Sequence, residues 1–306
     1  MLPKRLKKGD TIGIIAPASP PKLNELQKGI SFLHALGLET KLGRQVTDVY
    51  GYLAGKDEHR LEDLHAMFAD PSINGIICAC GGYGTPRIAS QIDYELIKHN
   101  PKVFWGYSDI TYLHTAINQL TGLTTFHGPM VSSDIGKEEF ANISKTMFQQ
   151  LFEPSHILYS EKISPLECLS NGIATGEITG GNLTLVCSTL GTMVEIDTKG
   201  KLLLIEDVDE EPYRIDSMLN QLEQAGKLED AAGIIVGDFK NARATGDKPS
   251  LTLGRVLETY LSNLHKPVIK GFNIGHCSPH IAIPLGVKAT LSTHDKTLKV
   301  EPGVKM

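Results

Sequence analysis

The first half of the chain alternates short apolar runs with stretches of helical spacing, and this alternation constrains the fold most. The runs of strand length are 11–16, 75–80, 103–106 and a weaker one at 124–127. Between them, apolar residues recur every three or four positions, the spacing of a helix with one buried face. One such set comprises Leu23, Leu26, Ile30 and Leu33. The pattern predicts an α/β domain with a mainly parallel sheet and helices on both faces.

The alternation lapses near Pro154, and residues 154–172 show no convincing period, which indicates a linker. A second set of elements follows, with a strand-like region at 173–187, further strands at 201–205 and 233–236, and helical spacing between them. We therefore expect two domains. The first covers 1–153 and resembles amidotransferase or flavodoxin folds, and the second is a smaller α/β domain over 173–306.

Composition describes an ordinary soluble globular protein, with 306 residues, 41% of them hydrophobic and 21% charged. The formal net charge of −5 and the single basic run at 4–8 disfavour a nucleic-acid partner. No apolar stretch approaches the roughly 18 residues that a membrane span needs. The apolar run after residue 10 is too short for a signal peptide. Five cysteines, an odd number without framework spacing, favour the reducing cytoplasm.

Ser108 stands where a predicted strand becomes a helix. The strand ends at Gly106, and apolar residues recur with helical spacing over 110–120. Such a junction exposes a hydroxyl and directs the positive end of the helix toward it, so that free N–H groups could stabilise an oxyanion. A serine that merely caps the helix would occupy the same position. The position alone therefore leaves both roles open.

A carboxylate and a histidine follow two other predicted strands. Glu206 ends the run at 201–205, and His276 comes shortly after the run at 267–271. Catalytic groups collect at the carboxyl ends of strands in open α/β sheets. A serine, a glutamate and a histidine can assemble a nucleophile, a base and an orienting carboxylate in this chain order. Taken singly, Glu206 could be a solvated loop carboxylate and His276 a structural or solvated histidine. Together the three residues favour a serine hydrolase, whose active site we would then expect at the interface of the two domains.

Several blocks of this sequence resemble the LD-carboxypeptidase family of serine peptidases. They are 9–19, 80–84, 105–111, 127–130, 180–183, 204–207 with 212–216, and 275–276. The match runs from about residue 9 to about residue 290 and keeps the family's order of blocks. The resemblance implies that Ser108 is the nucleophile, that His276 is the general base and that Glu206 orients the imidazole.

The resemblance also supports assignments around the triad. The backbone N–H of Asp109 is one expected oxyanion donor, and the second comes from Gly81 or Gly82, since glycine lets a backbone approach the substrate closely. Asn182 carries an amide suited to a substrate carboxylate or amide, and His127 could line the pocket. A simple turn and a structural histidine are the alternatives for these two residues.

Two other kinds of site receive less support from the residues. The 80–84 loop could cradle a phosphate, but it lacks both the G-x-G-x-x-G pattern and a Walker lysine. The set of His276, Cys277 and His280 suggests a metal, as does the acidic run 206–211, but the histidine spacing matches no helical zinc motif. We therefore expect neither a cofactor nor a metal.

The family resemblance supplies the expected substrate. It implies release of the terminal D-alanine from murein tetrapeptides, a step of cell-wall recycling. The sequence does not fix the oligomeric state, for which a homodimer is one possibility. A microcin-C-type immunity peptidase, which hydrolyses aminoacyl-nucleotide conjugates, is the alternative within the same fold. A non-catalytic murein-peptide-binding protein is the alternative from another class. An amidotransferase-like domain would need a cysteine at position 108, which is a serine.

Overall fold

The computed structural model describes residues 1–246 and 249–306, and the chain forms two compact units. The first unit contains Met1–Ser155, Ser278–Gly286 and Pro302–Met306. The second contains His156–Cys277 and Val287–Glu301. Each unit has its own sheet with helices, so the prediction of two α/β domains is confirmed. The sequence indicated one boundary, whereas the structure returns two later segments of the chain to the first unit.

The described residues form fourteen strands and ten α-helices. The strands are β1 (Thr11–Ile15), β2 (Glu39–Leu42), β3 (Ile73–Cys78), β4 (Val103–Gly106), β5 (Thr125–His127), β6 (Ile157–Ser160), β7 (Glu167–Ser170), β8 (Ile173–Asn182), β9 (Leu202–Val208), β10 (Gly233–Lys240), β11 (Val268–Lys270), β12 (Ile283–Leu285), β13 (Lys288–Ser292) and β14 (Thr297–Val300). The helices are α1 (Leu23–Ala35), α2 (Asp57–Ala69), α3 (Thr85–Ala89), α4 (Tyr94–His99), α5 (Thr111–Thr121), α6 (Asn142–Thr146), α7 (Leu183–Ser188), α8 (Pro212–Gln224), α9 (Lys227–Asp230) and α10 (Leu253–Leu261).

The sheet of the first unit has the strand order β12-β5-β4-β3-β1-β2. Strands β1 to β5 pair in parallel with their neighbours, and β12 alone joins antiparallel, with Ile283 opposite His127. The mainly parallel sheet predicted for this half is therefore confirmed. Its sixth strand comes from residues that the sequence assigned to the second domain. Periodicity could not reveal this, because the pairing joins segments far apart in the chain.

Helices cover both faces of this first sheet, as the alternation of side chains on β1 shows. Ile12 and Ile14 belong to one buried cluster with the apolar side chains of α1. Gly13 points the other way, where a side chain at this position would collide with Met67 of α2. The helices α1 and α2 therefore lie on opposite faces of the sheet.

The sheet of the second unit is mixed, with the order β6-β14-β13-β8-β9-β10-β11-β7. Its centre, β8 to β11, is parallel, and antiparallel strands flank it on both sides. The stretch 154–172, for which the sequence indicated a linker, supplies both edge strands. β6 and β7 are only partly buried, so they show no regular apolar period. The strand-like region at 173–187 divides at Asn182 into β8 and α7.

No helix in the part of the chain that the structure describes combines the length and the apolar composition of a membrane span.

Candidate active site

Ser108 lies at the junction between β4 and α5, in the first unit. It opens a single 3-10 turn, Ser108–Ile110, that leads into the helix, and Tyr107 rather than Ser108 holds the cap position of that turn. Its φ angle is +63°, in the left-handed region that a residue with a Cβ rarely adopts. Such strain costs about 1–3 kcal/mol and persists where surrounding contacts fix it, often at functional sites.

Gly81 brings the backbone against the Ser108 side chain. An ideal Cβ on Gly81 would lie 2.9 Å from Ser108 Cβ and 3.0 Å from its Oγ, so only glycine fits here without displacement. Gly82, with φ of +106°, instead packs against the side chain of Ser19. Of the two glycines that the sequence left open, Gly81 is therefore the one that contacts the serine side chain.

Asp109, which follows the serine, is buried and bonded to the loop that contains Gly81. Its Oδ2 accepts a hydrogen bond from the Thr85 backbone N–H at 2.8 Å. Thr85 donates a second hydrogen bond to the same residue, from its hydroxyl to the Asp109 carbonyl at 2.6 Å. Burial raises the pKa of the Asp109 carboxyl to about 6, although the N–H of Thr85 and the charge of Arg60 oppose this shift.

Glu206 and His276 form a hydrogen-bonded pair in the second unit. Glu206 lies near the end of β9 and is fully buried, and His276 lies in the loop after β11. His276 Nδ1 lies 2.7 Å from Glu206 Oε2. We assign the donor role to Nδ1–H, because a carboxylate accepts, and in this tautomer Nε2 is the ring nitrogen that can accept a proton.

Two glycines make room for this buried carboxylate. An ideal Cβ on Gly275, whose φ is +119°, would lie 2.8 Å from Glu206 Cδ and 2.9 Å from its Cγ. An ideal Cβ on Gly237 would lie 3.0 Å from Glu206 Cβ. A residue of β10 and a residue of the loop after β11 are therefore glycines where any larger side chain would collide with Glu206.

The electrostatics of the pair favour a positive charge on the imidazole. Burial raises the pKa of Glu206, and His276 opposes the shift through its charge and its hydrogen bond. Burial also raises the pKa of Asp238 on the neighbouring β10, and the charge of His276 again opposes it. Two carboxyl groups thus act on one histidine, and both would stabilise the imidazolium that forms when His276 accepts a proton.

The two residues predicted to bind substrate are buried, and each lies in a different unit. Asn182 accepts a hydrogen bond from Leu185 N at 3.2 Å as the cap of α7, and its amide donates to Asp207 at 2.8 Å. His127 lies in β5 with its ring centroid 5.6 Å from that of Tyr107 and 5.4 Å from that of His280. These contacts give Asn182 a helix-capping role and His127 a packing role, and their contact with substrate stays a prediction.

Sequence reasoning missed a cavity and a buried arginine. The cavity lies in the second unit, has a volume of about 580 Å³ and is lined by Glu211, Tyr213, Asp216, Thr245, Leu251 and Val256 among others. None of the predicted site residues lines it. The arginine is Arg60 of α2, which is 1% exposed. Arginine is rarely buried, so no pattern in the sequence singles it out.

No cluster of three or more histidine, cysteine or acidic side chains able to hold a metal ion occurs within residues 1–246 and 249–306. Of the set noted in the sequence, His276 and Cys277 belong to the second unit and His280 to the first. Burial raises the pKa of the Cys277 thiol to about 12, so it carries a proton at neutral pH.

A strained serine at a strand–helix junction and a buried glutamate–histidine pair are features of hydrolases with a serine nucleophile. Residues 12–128 match the family model described as the LD-carboxypeptidase N-terminal domain, and residues 175–291 match that of the C-terminal domain. The chain therefore belongs to the LD-carboxypeptidase family and is a serine-type carboxypeptidase. The family predicted from the sequence blocks is confirmed.

Proteins of two described activities are similar to this chain along nearly its whole length. It is 56% identical over 302 residues, 99% of this chain and 95% of the relative, to a probable murein peptide carboxypeptidase of Bacillus subtilis (strain 168). It is 28% identical, over 98% of this chain and 95% of the relative, to the microcin C7 self-immunity protein of Escherichia coli. The crystal structure of a muramoyltetrapeptide carboxypeptidase from Oxalobacter formigenes matches with a TM-score of 0.85 and 27% identity, over 96% and 98% of the two chains.

Proposed function

We propose that the protein is an LD-carboxypeptidase that releases the terminal D-alanine from murein tetrapeptides. In this proposal Ser108 is the nucleophile, His276 is the general base and Glu206 orients the imidazole. The observation that carries it is the 2.7 Å contact between His276 Nδ1 and the fully buried carboxylate of Glu206. A carboxylate on Nδ1 fixes the tautomer in which Nε2 can accept a proton from a hydroxyl.

The reaction follows from these roles. His276 Nε2 takes the proton of Ser108 as Oγ attacks the carbonyl carbon of the bond between the diamino acid and D-alanine. The oxyanion that forms accepts hydrogen bonds from the backbone N–H of Asp109 and from Gly81. The imidazolium then gives its proton to the amine of D-alanine, which leaves. Water hydrolyses the resulting ester by the same proton transfers, which frees the tripeptide and restores the serine.

The connectivity of the chain supports the pairing of Ser108 with His276. Only three residues separate His276 from His280. The ring of His280 packs against that of Tyr107, with centroids 4.7 Å apart, and Tyr107 precedes Ser108 directly. Four residues of extended chain span at most about 14 Å, which limits how far His276 can lie from His280.

The choice of substrate rests on similarity. The relative described as a murein peptide carboxypeptidase is 56% identical to this chain, and the microcin immunity protein is 28% identical. We therefore favour a murein peptide over an aminoacyl-nucleotide conjugate. We place the reaction in the cytoplasm, because all five cysteines are free thiols in the structure, which suits a reducing compartment.

The test is a competition between substrate classes with purified protein. A murein tetrapeptide with a terminal D-alanine, the same peptide with a terminal L-alanine, and an aminoacyl sulfamoyl adenylate are incubated separately, and products are identified by mass spectrometry. We expect release of D-alanine and tripeptide from the first substrate alone, and no release with Ser108→Ala. Hydrolysis confined to the adenylate would overturn the murein assignment, and full activity of Ser108→Ala would overturn the nucleophile.

A further inference from the structure

We propose that Arg60 and the side chains of Asp109 and Thr85 are positioning residues that hold the glycine loop, defined as residues 81–85, against Ser108. The inference rests on the proposed function, because that function assigns one oxyanion donor to this loop. None of the three side chains was singled out for this role by the sequence patterns.

Two hydrogen bonds, both donated by Thr85 and accepted by Asp109, join one end of the glycine loop to the residue after the nucleophile. Thr85 N–H donates to Asp109 Oδ2 at 2.8 Å, and the Thr85 hydroxyl donates to the Asp109 carbonyl at 2.6 Å. Asp109 is 1% exposed and Thr85 is fully buried. Because Asp109 follows Ser108 directly, any movement of Thr85 relative to Asp109 also moves the loop relative to the serine.

Arg60 holds the same loop from its other side. Its Nη1 donates to the carbonyl of Gly84 at 2.9 Å and to that of Pro17 at 2.6 Å, and Nη2 pairs with Asp57. One buried cation therefore fixes two backbone segments at once. Its charge also acts on Asp109, where it opposes the effect of burial on the carboxyl pKa.

The segment that contains Pro17 holds the beginning of the loop as well. The backbone N–H of Ser19 donates to the Gly81 carbonyl at 3.1 Å. The Ser19 hydroxyl in turn accepts a hydrogen bond from Tyr83 N–H at 3.3 Å. Residues 81, 83, 84 and 85 of the loop thus all form hydrogen bonds. At Gly81 the loop lies so close to Ser108 that a Cβ would collide with the serine side chain.

Stability alone does not account for this arrangement. Taking an arginine and an aspartate out of water is costly, and replacement of buried ion pairs by apolar groups is often neutral or stabilising. Arg60 Nε has no hydrogen-bond partner among the described residues, which adds to the cost. Oxyanion donors, by contrast, act only when they lie within about 0.5 Å of the required position. A rigid loop beside the nucleophile meets that requirement.

The test compares variants of the network with matched variants elsewhere in the first unit. Asp109→Ala removes the acceptor of the Thr85 N–H, and Thr85→Val removes the hydroxyl that donates to the Asp109 carbonyl. Arg60→Met removes the hydrogen bond to the Gly84 carbonyl. The control for Asp109→Ala is Asp63→Ala, because Asp63 is also a buried aspartate that accepts a backbone N–H, that of Gln45 at 3.0 Å. The control for Arg60→Met is Lys102→Met, because Lys102 is a buried cation that donates to backbone carbonyls.

Release of D-alanine gives kcat and KM for each variant, and calorimetry gives Tm. We expect Asp109→Ala, Thr85→Val and Arg60→Met to lower kcat about 10- to 100-fold with KM changed less than about threefold, because a displaced oxyanion donor acts on the transition state. Asp63→Ala and Lys102→Met should lower Tm comparably while kcat stays within about threefold of wild type. Equal losses of kcat in network and control variants would overturn the proposal.

A conservative variant keeps the test decisive if a substitution that removes a hydrogen bond prevents folding. Thr85→Ser retains both hydrogen bonds and should keep kcat within about threefold of wild type, whereas Thr85→Val should not. Failure of the proposed function is distinct, because Ser108→Ala would then keep its turnover. If Ser108→Ala is inactive while Asp109→Ala and Thr85→Val keep more than about half of kcat, only the positioning role is wrong.

Discussion

The substitution Glu206→Gln should abolish most of the turnover while the protein stays folded. Glutamine has the size of glutamate, so it fits between Gly237 and Gly275 where the structure leaves room for one side chain of this shape. The glutamine carbonyl can still accept a hydrogen bond from His276 Nδ1, which lies 2.7 Å from Glu206 Oε2 in the wild-type protein. What the variant lacks is the negative charge beside the imidazole.

The size of the loss follows from that charge. The centres of a carboxylate and an imidazolium in hydrogen-bond contact lie about 4 Å apart, and at an effective dielectric constant of about 20 their attraction is about 4 kcal/mol. The attraction exists only once His276 has accepted the proton, so it stabilises the transition state and not the resting enzyme. We therefore expect kcat to fall about 10³-fold with KM changed less than about threefold.

The folded state should tolerate the same change. Burial raises the pKa of Glu206, which means that folding disfavours its charged form at neutral pH, and glutamine removes this penalty. The gain is opposed by the side-chain NH₂ group of glutamine, which would take the place of Oε1. Oε1 has no hydrogen-bond partner among the described residues, so the buried NH₂ would also have none, at a cost of about 1–3 kcal/mol. The free energy of unfolding at pH 7 should therefore change by less than about 3 kcal/mol in either direction.

The assay is release of D-alanine under single-turnover and steady-state conditions, with urea unfolding measured on the same preparations. Asp207→Asn is the matched control, since Asp207 is the adjacent buried carboxylate and accepts its hydrogen bonds from Asn182 and Thr184. It should keep more than about a tenth of the wild-type kcat. If Glu206→Gln retained that much activity, or if Asp207→Asn lost as much as Glu206→Gln, the carboxylate would not act through His276.

Other perturbations test the nucleophile, the glycine contact and the buried carboxyl. Ser108→Ala and His276→Ala should each lower kcat by about 10⁴-fold or more and the double variant little further, whereas Cys277→Ala should stay near wild type in the same D-alanine assay. Gly81→Ala should lower kcat about 100-fold because its Cβ would press on Ser108, while Gly254→Ala, whose Cβ would have no neighbour nearer than 4.0 Å, should not. The pKa of Asp109 is raised to about 6, so its charge destabilises the fold increasingly as the pH rises from 4 to 6. Urea unfolding of Asp109→Asn should lack this pH dependence, which amounts to about 3 kcal/mol, and an unchanged profile would contradict the assignment.

The sequence predicted the elements whose residues are buried on both sides. Strands β4 and β9 read as continuous apolar runs because helices or loops cover both of their faces, and Ser108 and Glu206 could be located from the ends of those runs. The edge strands β6 and β7 were missed because half-exposed edges carry no such pattern. The helix α7 was read as a strand because Leu183, Val186 and Cys187 are all buried, and a short buried helix looks like a buried strand.

The contacts around the nucleophile could not be predicted from local patterns. Arg60 and Gly84 are 24 positions apart, and Arg60 and Pro17 are 43 apart. Which of two adjacent glycines touches the serine depends on a difference in backbone direction, with φ in the left-handed region at Gly82 but not at Gly81. Such facts depend on packing between distant segments, for which spacing along the chain gives no signal.

The return of the chain to the first unit has a consequence for biosynthesis. The edge strand β12 emerges from the ribosome only after His156–Cys277 of the second unit, and Pro302–Met306 only after Val287–Glu301 as well. Until then the backbone of β5, which β12 will cover, presents an open strand edge. Nascent chains stalled before residue 283 should therefore recruit chaperones or associate with one another, whereas released full-length chains should not. The sheet of the first unit, which carries Ser108, is therefore completed only after residues 156–277 have been made.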